Sequence, residues 1–151
     1  MRFAELLFFA YRDFTSDPDA ILADIGYGRA HHRVLHFVNR QPGLRVADLL
    51  KILKITKQSL GRVLKQLIDD GYIRQQAGES DRRERLLFST EKGVDLAAHL
   101  ARPQLERISH AINAADGEEK KTIQRFLRHM ISEDERLYVA DLVIRHRDRK
   151  G

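Results

Sequence analysis

Two short amphipathic segments separated by a very tight connection limit this fold more than any other feature. Val46, Leu49, Leu50 and Leu53 recur at i, i+3, i+4 and i+7, and Leu60, Val63, Leu64 and Leu67 repeat the spacing. Each set places one apolar stripe along a helix, and a stripe of that kind must be buried. Only Lys54 and Ile55 separate the first helix from Thr56, which is placed to cap the second, and Gly71 is placed to stop it. Two helices joined this closely make a helix-turn-helix. Beyond Gly71, Tyr72–Gln75 and Arg85–Ser89 read as two strands around a polar loop from Ala77 to Glu84. The expected fold class is mainly α with a small β-hairpin wing: a winged helix-turn-helix with a helical dimerisation region.

The flanks are helical. Met1–Phe14 reads as an aromatic-rich amphipathic helix, and Ser16-Asp17-Pro18 as the start of a second one, running to about Ile25 and stopping at Gly26. Arg29–Asn39 forms another, ended by Pro42-Gly43. Thr90 caps a long helix with Leu96, Ala97, Leu100, Leu105, Ile108 and Ile112 on its apolar side, which Pro103 is expected to kink or interrupt. Asp116 and Glu119 have capping-box spacing before a further helix. Ser132 and Glu135 repeat that signal ahead of a last segment, Arg136–Arg145. The chain therefore divides into N-terminal helices (1–39), a central part (40–92) and C-terminal helices (93–151).

Charge separates the same three parts. Of the net +5 at pH 7, residues 40–92 carry +5, residues 1–39 carry −1 and residues 93–151 carry +1. A local basic surplus between near-neutral flanks is the footprint of a polyanion-binding module. The absence of cysteine excludes disulfides, a thiolate metal site and a cysteine redox switch. The longest apolar run, Leu6–Tyr11, is far short of the ~20 residues that cross a bilayer. A cytoplasmic protein without membrane attachment is expected. There is no glycine-rich phosphate loop, no G-x-S-x-G and no nucleophile–base spacing, so neither an enzyme nor a cofactor is implied.

With Leu60, Val63, Leu64 and Leu67 turned inward, the second helix presents Lys57, Gln58, Gly61, Arg62 and Lys65. Arginine or lysine can bond guanine O6 and N7, glutamine can bond adenine, and glycine admits close backbone approach. Lys65 lies further along and suits a phosphate. The same face is also what an ordinary solvated helix shows, and composition alone leaves both open. The hairpin tip tilts the balance. Asp81-Arg82-Arg83 places two arginines where a ribbon can enter a minor groove, with Asp81 beside them to orient a guanidinium.

On these residues the stretch from Leu44 to Gly93 resembles the MarR family of winged helix-turn-helix transcriptional regulators. Asp81-Arg82-Arg83 stands at the family's D-x-R motif, and Thr90-Glu91-Lys92-Gly93 at its closing T-x-x-G. The resemblance implies a homodimer on double-stranded DNA, most simply a repressor on a palindromic operator, with small-molecule release left open. Lys57, Gln58, Ser59 and Arg62 would then touch bases or backbone, and Arg83 would be the minor-groove arginine. Three positions depart from the family pattern. Arg45 replaces a capping Thr or Ser, Lys54 replaces a turn Gly, and Ser89 replaces a Leu. A winged-helix protein-interaction module and a sequence-indifferent architectural DNA binder are the alternatives.

The remaining signals are weaker. His32 and His36 share a helix face with His31 beside them, but no third ligand pairs with them, and no metal is expected. Phe8, Phe9 and Tyr11 suit either a core or an effector pocket whose residues the sequence leaves unidentified. Arg145, Arg147, Arg149 and Lys150 form a basic tail.

Overall fold

The computed structural model describes residues 2–78 and 81–144. The basic tail and wing residues Glu79 and Ser80 lie outside them. In chain order the elements are α1 (Arg2–Ala23), α2 (Arg29–Arg40), β1 (Leu44–Arg45), α3 (Val46–Leu53), α4 (Lys57–Asp69), β2 (Ile73–Ala77), β3 (Arg85–Ser89), α5 (Glu91–Asn113), α6 (Gly117–Met130) and α7 (Glu133–Ile144). The mainly helical architecture with a small hairpin is as expected. Residues form two compact units, Met1–Leu105 and Glu106–Gly151.

The core of the first unit is built from the predicted stripes. Leu60, Val63, Leu64 and Leu67 of α4 are buried with Leu49 of α3, Val34, Leu35 and Val38 of α2, and Leu22, Ile73, Leu87 and Leu100. The sheet has order β1-β3-β2, so the ribbon carries a third, very short strand that the sequence did not announce. Leu44 pairs with Leu87 and Arg45 with Leu86, while β2 and β3 pair from Ile73↔Ser89 to Ala77↔Arg85.

Neither proline inside a helix ends it. α1 is continuous through Ser16-Asp17-Pro18 instead of breaking there. The Thr15 hydroxyl donates back to the carbonyls of Tyr11 (2.9 Å) and Arg12 (3.1 Å), and that of Ser16 to Asp13 (2.9 Å), so neither side chain starts a new helix. Pro18 has no N–H for the Phe14 carbonyl, and Gln104 Nε2 of α5 donates to that oxygen at 3.0 Å. A distant amide thus fills the gap that would otherwise end the helix. α5 likewise runs through Pro103. The carbonyl left without an N–H there is that of His99, an exposed residue. The capping box of α6 forms as expected, Glu119 N–H donating to Asp116 Oδ1 and Asp116 N–H to Glu119 Oε2, both at 2.8 Å. The chain then breaks at Ile131 before α7, which begins at Glu133, ahead of the expected Arg136.

The turn between α3 and α4 places Lys54 at φ 50°, ψ 41°, the left-handed region that a glycine would occupy without strain. Ser89, at the end of β3, has a buried hydroxyl without a hydrogen-bond partner among the described residues. Removing such a group is favourable, so Ser89→Ala should raise stability by about 1 kcal/mol. Chemical denaturation would read this as a higher midpoint at unchanged slope.

Candidate nucleic-acid interface

Thr56 sets the start of α4. Its Oγ1 accepts the Ser59 N–H at 3.1 Å and donates to Ser59 Oγ at 2.8 Å. Ser59 is therefore engaged in the cap and only half-exposed, whereas Lys57, Gln58, Gly61, Arg62 and Lys65 lie together on the open face. Lys65 is paired with Asp69 one turn on, so a phosphate would have to compete for its ammonium. Apart from its chain neighbours and the adjacent backbone of its own helix, no atom of the described residues lies within 4 Å of where a Gly61 Cβ would stand. A glycine inside a helix costs about 1 kcal/mol relative to alanine, and nothing among the described residues requires this one to be small.

The C-terminal end of α4 is tied down from three directions. Tyr27 donates to Asp70 Oδ2 at 2.5 Å, stacks on His31 at 4.3 Å and meets Tyr72 edge-on at 5.6 Å. Burial, and then the Asp70 carboxylate, push the Tyr27 phenol well above its ordinary range. His31 Nδ1 accepts the Gly28 N–H at 3.1 Å, which leaves Nε2 to donate to Gln66 Oε1 at 3.0 Å. Lys92 Nζ donates to the Asp70 carbonyl at 2.8 Å from above the Tyr72 ring. His31 thus braces α4. Its only sequence signal was the Gly28-x-x-His31 spacing of a helix start.

The T-x-x-G motif has a packing reason. The Thr90 N–H donates to the Tyr72 carbonyl at 3.1 Å, its hydroxyl lies 2.7 Å from the Gly71 carbonyl and 3.1 Å from that of Tyr72, and Gly93 N–H donates back to Thr90 Oγ1 at 3.1 Å. These bonds draw α5 so close that a Gly93 Cβ would stand 2.0 Å from the Tyr72 carbonyl oxygen.

At the wing, Asp81, Arg82 and Arg83 are exposed together. Asp81 does not play the part expected of it. Its Oδ1 accepts the Arg83 backbone N–H at 2.8 Å, so it shapes the turn and leaves the guanidiniums alone. Among the described residues, no acid pairs with Arg82 or Arg83. Sequence reasoning missed Arg45. Its side chain provides no cap to α3, but its Nε and Nη2 grip both oxygens of Asp48 at 2.6 and 2.9 Å, and Nη1 reaches Glu84 at 3.0 Å.

The comparisons with known proteins bear on this arrangement directly. The MarR family model matches residues 25–84. The HTH-type transcriptional regulator PetP of Rhodobacter capsulatus is 54% identical over 111 residues, covering 74% of this chain and 67% of that protein. The chain belongs to the MarR family. It is accordingly a DNA-binding transcriptional regulator, and members of the MarR family are not enzymes. Solved structures agree in fold. FabT of Streptococcus pneumoniae in complex with DNA superposes with TM-score 0.76 at 19% identity, over 93% of this chain and 97% of that one. A MarR regulator from Methanosarcina mazei gives 0.68 at 26% identity, over 85% and 92%. Among the described residues, no helix is long and apolar enough to cross a membrane, and no three His, Cys, Asp or Glu side chains gather as a metal site.

Proposed function

We propose that this chain is a homodimeric, cytoplasmic repressor that reads a palindromic operator in double-stranded DNA and is released by a small ligand. Residues 40–92 read the DNA, and the flanks 1–39 and 93–151 pair the subunits. Lys57, Gln58, Ser59, Arg62 and Lys65 serve the major groove and adjacent phosphates, and Arg82 and Arg83 the minor groove, on the turn that Asp81 shapes. The observation that carries this reading is the open face of α4 with Gly61 at its centre. A small residue that nothing among the described residues needs is useful to something that approaches from outside. Gly61→Ala should therefore raise thermal stability, by about 1 kcal/mol of helix propensity, while lowering operator affinity. Affinity that rises or stays constant alongside stability would contradict the assignment.

Pairing is supported by apolar surface that the subunit leaves open. Phe3, Leu6 and Phe8 on α1 are 78, 59 and 64% exposed. In the second unit α6 buries none of its own residues, although Ile123, Phe126, Leu127 and Met130 line one side of it. Stripes of this size on a monomer are interaction surfaces. A second copy would set two α4 helices about one DNA turn, ~34 Å, apart. Sedimentation equilibrium should give a dimer, and Phe126→Glu a monomer.

Release is supported by a cavity of about 230 Å³ on the side of α2 that bears Arg29, His32, Arg33 and His36, bounded by Tyr11 and Asp19. Arg29 pairs with Asp19 at 2.7 Å, and Arg33 donates to the Tyr11 hydroxyl at 3.3 Å. Burial holds the His32 imidazole below its ordinary range, with Asp19 opposing the shift and Arg33 reinforcing it. Two guanidiniums against one carboxylate suit a small ligand bearing an acidic group. The same helix supplies His31 to α4, so a ligand that shifts α2 would reach the DNA-reading face without a long relay. Titrating the operator complex with single-ring carboxylates, with Arg33→Ala as control, tests this.

A further inference from the structure

Arg45, Asp48 and Glu84 converge on the surface between α3 and the foot of the wing, a cluster that the interface described above does not use. The backbone around it is what gives the cluster a purpose. Gly78 N–H donates to the Glu84 carbonyl at 3.1 Å, and Glu84 N–H donates to the Asp81 carbonyl at 3.0 Å, so Glu84 closes the loop that presents Arg82 and Arg83. Asp81 Oδ1 on the Arg83 N–H completes the turn. Gly78 lies close to the Asp81 backbone, since a Cβ on Gly78 would stand 2.7 Å from the Asp81 carbonyl oxygen. Arg45 belongs to β1, whose backbone pairs with Leu86 of β3, and Asp48 sits in the first turn of α3. One planar guanidinium thus makes a two-pronged bond to a helix and a third bond to the residue that closes the wing loop.

We infer that Arg45 is a positioning residue for DNA binding: it clasps Glu84 to α3 and so holds the wing arginines at a fixed height and angle relative to α4. The clasp rests on the proposed role of the wing. It explains why a residue with no capping ability occupies the helix start. The bonds to Asp48 and Glu84 are half-exposed, so they contribute little to global stability. Their effect is on geometry, because a ribbon joined to the domain through few bonds swings unless it is tethered from the side. Lysine cannot replace the arginine fully, since a point charge cannot hold two carboxylates in one plane.

The test uses the full chain, its selected operator and five variants, with affinity read by fluorescence anisotropy at fixed near-physiological salt. Glu84→Gln is the decisive one. Removing a negative charge from a DNA-facing surface should tighten binding on simple Coulombic grounds. The clasp predicts the opposite, a loss of about threefold, as befits an exposed pair. Glu84→Asp retains the charge and retracts the carboxylate, and should lose a similar factor. Arg45→Met should weaken binding at least as much, and the double variant Arg45→Met/Glu84→Gln should be no weaker than Arg45→Met alone. The loss should fall on base pairs under the wing and spare those under α4, which separates positioning from general destabilisation. Glu84→Gln that binds as well as the parent, or better, overturns the clasp. Arg83→Ala in the same assay separates the two levels: if it weakens binding while Glu84→Gln does not, only the clasp fails. If Arg83→Ala has no effect, the wing reading and the clasp fall together.

Discussion

Gly93→Ala is expected to destabilise the protein by about 3 kcal/mol, the upper range for forcing a methyl into filled space. The added carbon would lie 2.0 Å from the Tyr72 carbonyl oxygen and 3.0 Å from its carbon, and both are backbone atoms. They have no freedom to retreat. The Tyr72 carbonyl is bonded by the Thr90 N–H, and the next residue, Ile73, is buried in the sheet and paired with Ser89. α5 would have to lift away from the start of β2, taking buried Ala97 and Leu100 with it. Denaturant unfolding of parent and variant checks this. A loss below about 1 kcal/mol would show that the helix shifts cheaply and that the close approach is not what the glycine is for.

Arg83→Ala is the second large effect, this time on binding. The side chain is exposed at the wing tip, and its backbone N–H is held by Asp81. A guanidinium presented this way suits the negative potential of a narrow minor groove. Its removal should weaken operator binding about ten- to a hundredfold, the range for a specific arginine contact. Stability should be nearly unchanged, as is usual for an exposed side chain. A deficit under about threefold for Arg83→Ala would place the wing off the DNA.

Local patterns were legible where a feature depends on a few successive residues. The stripes of α3 and α4, the Thr56 cap, the capping box of α6 and the strand Arg85–Ser89 all appear where periodicity and turn chemistry put them. The strained turn at Lys54 was legible too, through the family resemblance, which puts a glycine at that position. Features that need a distant partner were not. Pro18 reads as a helix start until Gln104 supplies the missing donor. Arg45 reads as a poor cap until Glu84 arrives from the end of the wing loop. β1 is two residues long, and pairing that short leaves no alternation to detect. Asp81 was assigned to a guanidinium because charge suggested it, but a short acid side chain in a turn bonds first to the nearest backbone N–H. In the candidate interface, the face of α4 was read correctly as exposed, and what the sequence lacked was the bracing behind it by Tyr27 and His31.

The measurement that bears most directly on the central claim is selection of bound sequences from random double-stranded DNA at near-physiological salt. A dimer reading DNA through two α4 helices should enrich an inverted repeat with half-site centres about one helical turn apart, flanked by A·T-rich steps under each wing. Binding that enriches no motif and weakens steeply with salt would contradict it, and would make the basic middle third an architectural surface instead of a reader of sequence.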